Sequence, residues 1–157
     1  MRMLLAMFSK ELRSYFNTPI AYVFIIAFLL IANFLYMNDF FLRDRADMRE
    51  FFGLMPILLC IFVPAVSMRS WAEERKQGTI ELLLTLPTGV VSLVIAKFIA
   101  ALAIFTIILL GTLIIPLMLS DLGKPDFGPI FCGYFGTMML GAFFLSCGMF
   151  ISALVRD

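Results

Sequence analysis

The sequence predicts an all-α, polytopic membrane protein. The expected architecture is a helix bundle of four transmembrane helices, with an N-terminal amphipathic interfacial helix and a short cytoplasmic coupling helix. Three observations predict it. Of the 157 residues 62% are hydrophobic and 15% charged, whereas a soluble domain is about half apolar and about a quarter charged. So many apolar side chains cannot all be hidden in one core this small. They are also gathered into long unbroken runs. Backbone groups in lipid must bond within their own segment, so such runs read as helices and not as alternating barrel strands.

What is missing narrows the function. There is no histidine, which removes the commonest catalytic base and zinc ligand. Cys60, Cys132 and Cys147 are odd in number and lie within apolar runs, so they read as packing residues and not as a disulfide framework. Net charge is +1, which gives no surface for nucleic acid. No Gly-x-Ser-x-Gly elbow and no Gly-x-x-x-x-Gly-Lys-Ser/Thr loop occurs, so neither a hydrolase nucleophile nor a phosphate cradle is expected. The chain is expected not to be an enzyme, with no catalytic residue and no metal ligand.

The first element is an amphipathic helix over 3–16. Leu4, Leu5, Phe8, Leu12, Tyr15 and Phe16 fall on one face, and Ser9, Lys10, Glu11, Arg13 and Ser14 fill the other. Such a helix lies in the membrane interface. Asn17-Thr18-Pro19 breaks it.

A span needs roughly 20 apolar residues, since the hydrocarbon core is about 30 Å thick and a helix rises about 1.5 Å per residue. Four runs qualify, at 20–37, 51–68, 98–119 and 130–155. Pro64 is expected to kink the second. Asn33, the amide of the first, is expected to bond a neighbouring helix. Gly133, Thr137 and Gly141 form a small-residue stripe on the fourth, suited to close packing in the bundle or across a dimer. Arg2, Lys10, Arg13, Arg69, Arg75, Lys76, Lys97 and Arg156 fall on one side, against Arg43, Arg45, Arg49 and Lys124 on the other. The positive-inside rule therefore places both termini in the cytoplasm.

Residues 69–90 form the cytoplasmic loop between spans two and three. Ser70 and Glu73 fit a capping box that starts a charged helix, which Gly78 ends. Thr79 can cap a second, very short helix, Ile80 to Leu86, with Glu81 near its N-terminus and Pro87 closing it. Two turns are not stable alone, and Leu82, Leu83, Leu84 and Leu86 leave them almost wholly apolar. This helix needs a receiving surface. That surface is either the membrane face and the chain's own spans, or a groove in a soluble partner.

The block Glu73-Glu74-Arg75-Lys76-Gln77-Gly78-Thr79-Ile80-Glu81-Leu82-Leu83-Leu84-Thr85-Leu86-Pro87 resembles the first cytoplasmic loop of type-2 ABC transporter permeases. It is most similar to the bacterial permeases associated with gliding motility. Lys97 fits the lysine found where that family's third span begins, and Lys10-Glu11-Leu12 matches its interfacial helix. The resemblance implies a multi-pass subunit of the bacterial cytoplasmic (inner) membrane that couples export to a separate ABC ATPase. ATP and Mg2+ would sit on that ATPase, with no cofactor on this chain. Glu73, Glu74, Arg75, Gly78, Thr79, Glu81, Leu83, Leu84 and Pro87 would form the coupling surface. A second permease subunit, the same or different, and membrane lipid would be the other partners. Family permeases usually have six spans, so this chain resembles one cut short after four. The alternative from another class is a non-transporting scaffold or regulatory subunit of a surface-assembly complex, using the same loop.

Overall fold

The computed structural model describes residues 2–43, 48–76, 90–122 and 126–154. Among these residues every regular element is a helix: α1 (Arg2–Asn17), α2 (Pro19–Arg43), α3 (Arg49–Lys76), α4 (Val90–Gly111), α5 (Ile114–Leu122) and α6 (Phe127–Leu154). Three helical stretches among the described residues are long and apolar enough to cross a membrane: Ala21–Asn38, Val91–Asp121 and Phe127–Leu154.

The break between α1 and α2 falls at Thr18. Pro19 opens α2 at the position where a missing N–H is cheapest. The chain turns through short-range bonds, Thr18 N to Tyr15 O at 3.2 Å and Ala21 N to Thr18 O at 3.1 Å. By contrast, α3 runs through both Pro56 and Pro64 without interruption. It also runs on through Ser70 to Lys76, so no new helix starts at the expected capping box. Between Met68 and Lys76 there is no proline or glycine to stop the apolar helix from extending into its charged continuation.

α3 and α6 form the most extensive packing in the bundle. They run parallel, because Gly133 faces Phe52 and, fifteen residues on in both helices, Gly148 faces Ser67. α2 and α4 complete the core around them. Phe28, Ala32 and Tyr36 recur every four residues on α2, and all three are buried. They meet Phe51, Met55 and Leu59 of α3, Ile104, Phe105 and Ile108 of α4, and Leu145 of α6. Aromatic rings tie one end together: Tyr36 to Phe51 with centroids 5.9 Å apart, Phe51 to Phe52 at 5.4 Å, and Phe52 to Tyr134 at 5.3 Å. All three pairs are edge-on, the arrangement that ring quadrupoles favour.

The outer surface is inverted relative to that of a soluble protein. Val23, Leu30 and Phe34 of α2, Ile57 and Ile61 of α3, Leu110 and Ile114 of α4–α5, and Phe131 and Phe150 of α6 all point outward. Water would penalise a continuous apolar belt of this kind, and acyl chains accept it.

Candidate functional site

Three parts of the bundle are candidates for a functional role. The first is the C-terminal end of α3. Glu73, Glu74 and Arg75 lie in the last two turns of α3. Gly78, Thr79, Glu81, Leu83, Leu84 and Pro87, and with them the expected helix Ile80 to Leu86, lie outside the described residues.

The second part is a buried ion pair that joins α1 to α4. Lys97 Nζ lies 3.3 Å from Glu11 Oε1, with the two side chains only 1% and 11% exposed. Glu11 was expected on the polar face of the interfacial helix, and Lys97 at the start of a span beginning at 98. Instead the helix is already formed by Val90, so Lys97 lies two turns inside it and faces α1. α1 packs far more on α4 than on α2, its neighbour in sequence. Periodicity alone did not reveal the pair, since the two residues are 86 positions apart. The available signal was the single lysine in an otherwise apolar run, because an ionisable group there calls for a partner.

The third part is the joint between α4 and α5. Pro116 has no N–H to give the Thr112 carbonyl, and its ring crowds that group. The ladder therefore shortens locally, with Thr112 N to Leu109 O, Leu113 N to Leu110 O and Ile115 N to Thr112 O all at 3.1 Å. Tyr134 Oη of α6 donates to the Thr112 carbonyl at 3.1 Å and lies 3.2 Å from its hydroxyl. Beside this joint a groove of about 660 Å³ opens between α4–α5 and α6, lined by Leu109, Leu113, Pro116, Ile130, Phe131 and Tyr134 among others. The run expected as one span over 98–119 is thus built of two helices, which together lie within one stretch, Val91–Asp121, long and apolar enough to cross a membrane.

Several other polar groups bond their own helices. Asn33 Nδ2 donates to Leu29 O at 2.7 Å, so the bond the structure gives it is local and not the expected one to a neighbouring helix. Thr106, Thr137 and Ser146 similarly bond Leu102 O, Gly133 O and Phe143 O. Short side chains reach back easily in a helix, and within lipid that is the partner always at hand. The stripe Gly133–Thr137–Gly141 faces into the bundle. A Cβ at Gly133 would overlap the Phe52 ring, and one at Gly141 the Phe105 ring. Gly148, not singled out from sequence, extends the seam against Ser67 and Pro64. Among the described residues no group of three His, Cys, Asp or Glu side chains converges as a metal site would need.

The arrangement is that of a membrane-embedded bundle whose helices are pinned to one another, with its charged residues largely toward the helix ends. Residues 4–157 match the profile of the family described as ABC-2 family transporter protein. The chain belongs to the ABC-2 transporter family. No curated protein and no solved structure gives a significant match. Membership makes this ABC-2 chain a multi-pass membrane protein and places it among permease subunits of ABC transporters, which work with an ATPase and usually a second permease.

Proposed function

We propose that the chain is the permease subunit of a type-2 ABC exporter, with ATP and Mg2+ held by a separate ATPase subunit. The observation that carries this reading is the family match across residues 4–157. In this reading α3 also crosses the membrane, so that the spans number four. Two features support that count. Its Ile57 and Ile61 are 63% and 64% exposed among apolar neighbours. It also lies alongside α6 over the fifteen residues from Phe52 to Ser67, a rise of about 22 Å. Both termini then face the cytoplasm of a bacterial cell, and the chain works as a pair with a second permease subunit.

The ATPase docks on the loop that joins α3 to α4. Glu73, Glu74, Arg75 and Glu81 orient it by charge, with Gly78 and Thr79 setting the turn. Leu83, Leu84 and Pro87 fill its groove. Closure of two ATPases on ATP pushes this loop, and α3 and α4, which flank it in sequence, carry the motion into the bundle. A role in gliding motility rests on the resemblance of residues 73–87 alone; loss of gliding on deletion of the gene is its measure. The decisive experiment is co-purification from membranes. Leu83→Asp with Leu84→Asp should insert normally but lose the ATPase that accompanies the wild-type chain. Retained association would refute the docking assignment.

A further inference from the structure

We propose that Glu11 and Lys97 lock the interfacial helix α1 to the third span, so that α1 moves as one body with α4 and not with α2, to which it is covalently joined. The lock stands on the geometry of the chain alone, whereas the force route it would provide rests on the permease reading above.

The ion pair is the first ground. Lys97 is 1% exposed and set within a stretch apolar enough to cross a membrane. A charge so placed must be paired, and breaking a buried pair by removing one member is strongly destabilising. Such a pair is sensitive to register, since sliding α1 by one turn along α4 would part the two charges by about 5 Å. The packing is the second ground. Leu12 and Tyr15, the next residues on the same side of α1, lie against the hydrophobic core, and the contact of α1 with α4 is second only to the α3–α6 seam. The third ground is the link to α2. Pro19 has no N–H to continue the α-helical ladder from α1, and the junction turns on Thr18 with the short-range bonds Thr18 N to Tyr15 O and Ala21 N to Thr18 O. The continuous path of side-chain packing from α1 therefore leads into α4. Lys97 sits seven residues after Val90, the first described residue beyond the loop proposed to dock the ATPase. A pull on that loop reaches Lys97 within two helical turns, and α1 follows.

The test uses the full chain in lipid nanodiscs and reads amide hydrogen exchange helix by helix. Glu11→Gln should speed exchange in α1 roughly 100-fold, the loss of protection expected when a buried pair is broken, while α6 is unchanged. The reciprocal double variant Glu11→Lys with Lys97→Glu should restore protection. Unchanged exchange in Glu11→Gln, or no restoration by the swap, overturns the lock. If Glu11→Gln does not fold, the swap decides alone: a folded chain with protected α1 supports the pair, and an unfolded one overturns it.

The second arm places spin labels at Ser9, Tyr22 and Val94, with the three native cysteines replaced, and compares the nucleotide-free and vanadate-trapped complexes with the ATPase. The distance between positions 9 and 94 should stay fixed while that between 9 and 22 changes. A change between 9 and 94 overturns the lock. If neither distance responds to nucleotide, the coupling part of the permease reading fails, and the exchange result still decides the lock.

Discussion

Tyr134 of α6 donates its hydroxyl, at 3.1 Å, to the main-chain carbonyl of Thr112, which Pro116 has no N–H to bond and which also accepts the short-range bond from Ile115 N. A side chain of one helix thus supplements the weakened ladder of another, which ties α6 to the α4–α5 joint. Tyr134→Phe keeps the ring contact with Phe52 and removes only the donor. It should destabilise the bundle by about 1 kcal/mol, as measured by unfolding in mixed micelles.

Pro116→Ala acts on the same joint from the other side. An N–H at position 116 can reach Thr112 O, so α4 and α5 should merge into one helix. Amide exchange over 112–117 should slow, and the groove beside Pro116 should change shape. Exchange as fast as in the wild-type chain would show that the joint is held by its tertiary neighbours and not by the proline.

The glycines of α6 should divide sharply. Gly141 faces the Phe105 ring and Gly148 faces Ser67, with no room for a Cβ at either, while Gly136 has nothing within 4 Å. Gly141→Val or Gly148→Val should cost about 1–3 kcal/mol or more by overpacking. Gly136→Val should stay within about 0.5 kcal/mol. Thermal unfolding of the three variants in one detergent distinguishes them, and equal losses would mean that helix α6 is packed differently.

Ile61→Arg tests whether α3 crosses the membrane. Ile61 lies near the middle of α3 and points outward. If α3 spans the membrane, arginine there should raise the insertion free energy by about 3 kcal/mol, read as a loss of correctly oriented chain with a glycosylation reporter after residue 76. On a water-facing helix the same change would be nearly neutral.

The helical class, the membrane environment and the position of the break before Pro19 were legible in the sequence, because each depends on local composition and covalent geometry. A run of apolar residues specifies a lipid-embedded helix wherever it packs, and a proline lacks its N–H in any context. The small-residue stripe of α6 was legible for the same reason, since spacing alone puts Gly133, Thr137 and Gly141 on one face. Which surface that face meets was not, because glycine has no side chain with which to choose a partner.

The tertiary structure decided the rest. It placed Glu11, which reads as one more polar residue on an amphipathic helix, beside Lys97 in the core. It also gave the Thr112 carbonyl to Tyr134 and kept the amide of Asn33 within its own helix. The physical reason is common to all three. Burial in an apolar medium favours a partner for each charge and each polar group, and it does not say whether that partner lies four residues away or eighty-six.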